Sequence, residues 1–339
     1  MRRVVSGILL SLLCVAGLFG CEKPAPSEDG GGARLNVVVS IPPQAAFVER
    51  VGGDHVKVDV LIGPGQSPHS YTPTAAEISR VAECDVYFTI GVPFEEAVKR
   101  RIAANRPDLP IINSREGVPL RHMKHVHHHD EHADEHGHDH DHAHDDAHEG
   151  EHAADHEHGH EHDREHEHGM GEPDPHVWLS PQNAKIISRN ICDGLKRLDP
   201  QVAAACEANL AEFASELDEV DQEIRESLAP LKQREFMVFH PAFGYFADAY
   251  NLEQLPVEIE GKDPSAKALN ELIETAKAKG IRVVFVQPQF SRRRAEAVAE
   301  AINGAVVPMD PLARNYIGNL REMAQKIKSA IEPAEAGTP

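Results

Sequence analysis

The chain reads as an α/β protein of two lobes, each built on a parallel sheet, joined by one long backbone helix. Three observations predict this. Short apolar, β-rich runs alternate with helical patterns in both halves, which indicates parallel sheets covered on both faces. Between the halves lies an amphipathic segment too long for an ordinary connection. Setting aside two compositionally biased segments, 1–34 and 121–175, leaves about 250 residues, room for two domains.

The first lobe is expected over 35–199. Leu35 to Ser40 reads as a strand and is followed by a helix candidate from Pro43. Val56 to Ile62 is the next strand, with a helix starting near Pro73. Val86 to Ile90 precedes a helix from Phe94, Ile111-Ile112 closes the series, and a further helix runs up to Asp199-Pro200. Residues 200–229 form the linking helix. Apolar side chains recur there at Val202, Cys206, Leu210, Phe213, Leu217, Val220, Ile224 and Leu228, always three or four apart. Pro200 suits a helix start and Pro230 ends it. About 30 residues at 1.5 Å each make a rod of roughly 45 Å, a stiff strut between lobes. The second lobe, 230–339, repeats the rhythm. Its strands are Phe236 to Phe239, Gln254 to Ile259, Val283 to Val286 and Ala305 to Val307, and its last helix runs from Arg314 to Ala330.

The N-terminus reads as an export signal over 1–20. Arg2 and Arg3 supply positive charge, and Val4 to Phe19 an apolar stretch too short for a membrane span. Leu18-Phe19-Gly20-Cys21 resembles the lipobox of bacterial lipoproteins, which implies a lipid anchor at Cys21 and a location in the cell envelope outside the cytoplasm. A plain cleaved signal is the alternative. Residues 21–34, rich in Pro, Gly and charge, are expected to be a flexible tether. No C-x-x-C is present, so a thiolate zinc or redox motif is not expected. Cys84 reads as a small core residue. Cys192 and Cys206 fall on consecutive helices, and a disulfide between them is possible in an oxidising compartment.

The segment 121–175 is nearly all His, Asp, Glu, Ala and Gly, and 19 of the 23 histidines lie between His122 and His168. It has too few large apolar residues to bury a core. Imidazole is the commonest protein ligand for transition metals. His127, His128, His129, His138, His140 and His142 are therefore expected to bind metal weakly and exchangeably, as secondary sites. Sixteen acids against Lys124 and Arg164 put most of the chain's net charge of -21 here. The body is only mildly acidic, without the basic patch a nucleic-acid partner requires.

Four histidines lie outside the tract: His55, His69, His176 and His240. His69 follows the strand ending at Ile62, His240 ends Phe-Met-Val-Phe-His, and Asp310 follows Ala-Val-Val-Pro-Met. Ligands of open parallel sheets bind beyond the carboxyl ends of the strands. His176 sits in Pro173-Asp-Pro-His-Val-Trp178, where the tract ends. A metal held by His69, His176, His240 and Asp310 would lie in the cleft between the lobes. Three imidazoles and a carboxylate suit tetrahedral zinc. His55 precedes a strand and reads as surface.

Ser67-Pro-His69-Ser-Tyr-Thr-Pro73, Asp174-Pro-His176-Val-Trp178-Leu-Ser-Pro181, Val238-Phe-His240-Pro-Ala-Phe-Gly-Tyr245 and Met309-Asp310-Pro-Leu312 resemble motifs of the ZnuA-like zinc- and manganese-binding lipoproteins of bacterial ABC importers. So do Glu260-Gly-Lys-Asp-Pro-Ser265 and Gln287-Pro-Gln-Phe-Ser291. The resemblance runs from about Leu35 to Ile331, interrupted by the His-rich tract. It implies two Rossmann-like lobes, one backbone helix and a metal between the lobes, with His69, His176, His240 and Asp310 as ligands. Manganese members usually carry a carboxylate at the third position; His240 favours zinc over the harder manganese. Pro68 stands where some zinc members have an acid, so Asp310 or a water must complete the shell. Gln287 stands where the family often has Glu. Glu258 and Glu260 are expected at the edge of the cleft.

The function implied is a monomeric extracytoplasmic receptor that captures zinc as cargo, presents it to an ABC permease and leaves ATP hydrolysis to a separate subunit. The chain has no G-x-x-x-x-G-K-[ST] loop of its own. Release is expected from local movement of the His240 and Asp310 loops. A metal-dependent adhesin, a periplasmic buffer and a manganese, nickel or copper receptor share this reading of the site. A zinc hydrolase does not fit well, because no H-E-x-x-H is present outside the His-rich tract.

Overall fold

The computed structural model describes residues 34–123, 173–258 and 264–332. The export signal, Cys21, the tether, Glu260 and every tract histidine except His122 lie outside them. In the first half the order is β1 (Leu35–Val39), α1 (Pro42–Gly52), β2 (Val56–Val60), α2 (Ala75–Glu83), β3 (Val86–Thr89), α3 (Glu95–Asn105), β4 (Ile111–Asn113) and α4 (Pro181–Leu198). A short 3-10 turn leads into α5 (Ala203–Leu228). The second half follows as β5 (Glu235–Val238), α6 (Gly244–Ala249), β6 (Glu253–Pro256), α7 (Ala266–Ala278), β7 (Val283–Val286), α8 (Arg292–Ala301), β8 (Ala305–Pro308) and α9 (Tyr316–Ile331).

Both sheets are four-stranded and parallel, ordered β2-β1-β3-β4 and β6-β5-β7-β8. The two halves thus share one topology. Strand order reverses between β1 and β3 and again between β5 and β7, the crevice where such sheets receive ligands. Local chemistry sets the helix starts. Pro42 and Pro43 occupy the first turn of α1, Thr74 and Glu77 form a reciprocal capping box on α2, and Ser180 caps α4 ahead of Pro181.

The linking helix differs from the strut expected. The segment from Pro200 opens as a 3-10 turn, and α5 proper has 26 residues, a rod of roughly 39 Å. It does not bridge a gap. Its apolar face, Cys206, Leu210, Phe213, Leu217, Val220, Ile224 and Leu228, is buried. That face belongs to one hydrophobic cluster that runs from Val37 and Phe47 in the first half to Tyr316, Leu320 and Ile327 in the second. Helix α5 packs on α1 and α4 of the first half and on α9 of the second. Phe47 meets Tyr316 edge-on at 4.7 Å, so the halves touch directly beside the helix. A second cluster, including Met237, Phe239, Val284 and Val298, fills the other face of the second sheet.

The tract's boundaries also differ from those expected. Arg121, His122 and Met123 are part of the described structure, and the chain re-enters it at Pro173, where His122 and Pro173 form an antiparallel bridge. The insertion therefore leaves and returns at one point. Residues 121–123 and 173–175 belong to the fold because Arg121 and Asp174 are tied together by backbone and side chain.

Candidate metal centre

His69 lies in the loop from β2 to α2. Its backbone N–H donates to Ser67 Oγ, and the loop is closed by Tyr71 Oη donating to Leu61 O at 3.0 Å. His176 stands at the start of a 3-10 turn, Val177–Leu179, just before α4. His240 follows β5 at the crevice between β5 and β7. The amide of Gln287, just past β7, grips its backbone from both sides: Nε2 donates to His240 O at 2.7 Å and Oε1 accepts from His240 N at 3.3 Å. A carboxylate could accept but not donate, so the neutral residue has a definite role at this position. Phe290 stacks on the His240 ring at 4.7 Å.

These elements bring three imidazoles together. His69 Nε2 is 3.2 Å from Nε2 of His176 and 3.2 Å from Nε2 of His240. Two nitrogens bound to a tetrahedral zinc at about 2.0–2.1 Å stand roughly 3.3–3.4 Å apart, so the spacing is that of ligands around one ion. The outer nitrogens are held by buried carboxylates. His176 Nδ1 donates to Asp174 Oδ1 at 2.7 Å, and His240 Nδ1 donates to Glu258 Oε2 at 3.0 Å. This fixes the tautomer that turns both Nε2 lone pairs inward. Glu258, expected at the cleft edge, is in fact buried against His240.

Electrostatics favour the neutral, ligating form. Burial, and then the neighbouring imidazoles of His176 and His240, push the pKa of His69 down to about 3. Burial also lowers that of His240, against the opposing effect of the hydrogen bond it donates to Glu258. The outer part of His69 is exposed, whereas His176 and His240 are buried. Ser67, Trp178, Gln289, Phe290 and Pro311 complete the walls of the small pocket around the three rings.

The fourth residue expected, Asp310, does not join the group. The residues that converge at this site are His69, His176 and His240. Asp310 follows β8 as expected, but its Oδ1 is already used, accepting from Gln289 Nε2 at 3.1 Å and from the backbone N–H of Leu312 at 2.9 Å. The next residue ties that loop to the first half, since Trp178 Nε1 donates to Pro311 O at 2.7 Å. Cys192 and Cys206 are buried, free thiols on α4 and α5. Burial raises both pKa values, with that of Cys206 pushed up to about 12.

Sequence reasoning assigned no role to Asp174 or Trp178 and did not notice Arg121. The spacing Asp174-Pro-His176 was the available sign: an acid two residues before a histidine can turn back onto its ring.

The chain is similar to known proteins along most of its length. A chain named high-affinity zinc uptake system protein ZnuA, from Brucella abortus, is 32% identical over 321 residues, covering 88% of this chain and 92% of its own. A crystal structure of a ZnuA deletion mutant with zinc bound superposes with a TM-score of 0.73 at 34% identity, covering 90% of this chain and all of that one. Zinc-binding protein AdcA of Streptococcus pyogenes is 26% identical, and there the match spans 90% of this chain but only 56% of the relative. The profile of the family described as ZnuA, zinc-uptake complex component A, periplasmic, matches residues 37–330. With both lobes and the histidine cluster inside that match, the chain belongs to the ZnuA family.

Proposed function

We propose that this protein is the extracytoplasmic receptor of a zinc importer. It takes up Zn²⁺ as cargo at His69, His176 and His240 and hands it to an ABC permease driven by a separate ATPase. The observation that carries this reading is the convergence of three inward-facing imidazoles, with His69 Nε2 at 3.2 Å from Nε2 of each of the other two. Nitrogen donors of this kind suit zinc better than manganese. Three protein ligands leave a fourth position for water, or for Asp310 after its side chain turns, and an exchangeable position suits cargo that must be released. In this reading the chain is a monomer anchored to the membrane through Cys21, and the tract histidines, among them His127, His128, His129, His138, His140 and His142, collect further ions near the cleft.

Competitive zinc titration tests it. A protein lacking residues 124–172, cut where the chain leaves and re-enters the fold, is expected to keep one tight zinc equivalent and lose the weaker ones. His240→Ala in that background is expected to abolish the tight equivalent. Asp310→Asn is expected to cost far less, because Asp310 stands outside the cluster. Tight binding unaffected by His240→Ala would refute the assignment.

A further inference from the structure

Arg121 makes more connections around the metal cluster than a surface cation does. Its side chain is 19% exposed, and its Nη1 donates to Asp174 Oδ2 at 2.8 Å, where Asp174 is fully buried. The other oxygen of the same carboxylate accepts from the ring and the backbone N–H of His176 at 2.7 and 3.0 Å. Arg121 Nε meanwhile donates to Asp248 Oδ2 on α6 at 2.9 Å. The backbone joins in: Arg121 N donates to Tyr245 Oη at 3.0 Å, Arg121 O accepts from Asp174 N at 2.9 Å, and Tyr245 Oη donates to Asp174 O at 3.2 Å. The guanidinium lies directly on Gly244. A Cβ at that position would collide with Nη1 and stand 2.8 Å from Asp174 Oδ2. Gly244 opens α6 four residues after His240, so the space left by its missing side chain is where the first half's arginine enters the second half.

We propose that Arg121 is a positioning residue for the zinc site. One guanidinium fixes the carboxylate that orients His176 and, with its other edge, holds the segment that follows His240. Two ligands from opposite halves are thereby kept at coordination spacing before any ion arrives. The planar fork of arginine can serve both carboxylates at once; a lysine ammonium has the charge without the fork. The inference rests on the zinc-receptor reading of the three-histidine cluster.

The test uses the full-length protein, a chelator competitor that isolates the tight site, and Co²⁺ as a spectroscopic probe of geometry. Removing an outer-shell partner typically costs 10–100-fold in metal affinity. Arg121→Ala is expected to weaken tight zinc binding within that range and to change the visible spectrum of bound Co²⁺. Arg121→Lys is expected to recover part of the affinity but not the wild-type spectrum. Wild-type affinity and spectrum in both variants would overturn the proposal, and if Arg121→Ala does not fold, Arg121→Lys alone decides by the same two readouts. His240→Ala is run alongside. If it binds zinc as the wild type does, the receptor reading itself fails, a result distinct from an unperturbed Arg121 variant.

Discussion

His69, His176 and His240 can bind a cation only as neutral imidazoles, and the fold favours that form of His69 and His240 at a cost. In the unfolded chain a histidine titrates near 6.5. In the folded, metal-free protein burial and two neighbouring rings bring His69 down to about 3, and burial lowers His240 as well. A lowered histidine value means the unfolded chain binds the proton first. The stability of the metal-free protein is therefore full above about pH 6.5 and falls as pH drops from there toward 3. Asp174 acts in the same direction at lower pH: burial pushes its carboxyl up, but hydrogen bonds from His176 and Arg121 bring it below the ordinary range, so its contribution is lost on acidification. Thermal melts of metal-free protein between pH 8 and 4 are expected to show a falling Tm, with a shallower fall in His69→Ala. A Tm independent of pH across this range would contradict the environment described. The three histidines were legible in the sequence because each stands in a short motif at an element boundary. Arg121 was not: its partners Asp174 and Tyr245 lie 53 and 124 residues away, and nothing local announces a pairing at that range.

Among the described residues, most strands were legible as apolar runs, because strands buried in parallel sheets carry little else, although β2 carries Lys57 and Asp59 and β6 begins Glu253-Gln254. Helix α5 was legible in period but not in role. Spacing gives the buried stripe of a helix; it does not say how many neighbours share it. The stripe through Phe213 and Leu217 serves both halves in one hydrophobic cluster. Leu217→Ala, at a fully buried position, is expected to cost about 2–5 kcal/mol and lower Tm by several degrees. Since the cluster is shared, the loss is expected as a downward shift of one cooperative transition, whereas separate melting of the halves in calorimetry would refute the shared core. The thiols of Cys192 and Cys206 are buried where α4 meets α5. A disulfide there, closing a loop of roughly 15 residues, would add about 3 kcal/mol. Mass analysis of exported protein under non-reducing conditions is expected to show two hydrogens fewer if the bridge forms, and free thiols would rule it out.

At the scale of the whole molecule, the connections between the halves argue against release by a wide hinge. The shared core along α5 is one. The Trp178 indole on Pro311 O, with Tyr316 Oη donating to Trp178 O at 2.6 Å, is a second. The ion pairs of Glu49 with Arg314 and of Arg121 with Asp248 also run from one half to the other. Opening the lobes would break all of these together. The three ligands are not equally restrained, however. His176 and His240 are buried and each is held by a carboxylate, whereas His69 is partly exposed on a loop, and its ring has no carboxylate partner among the described residues. The softest route for zinc to leave is therefore movement of the loop at 63–73, which differs from the expectation that the His240 and Asp310 loops would move. Two measurements on the protein lacking 124–172 check this together. Scattering curves of metal-free and zinc-loaded forms are expected to superimpose, because the lobes stay put. Hydrogen exchange is expected to rise on zinc removal in 63–73 while 236–240 stays protected by its sheet hydrogen bonds. A large change in radius of gyration, or exchange that rises around His240 first, would show that the halves or the second-half loops move instead.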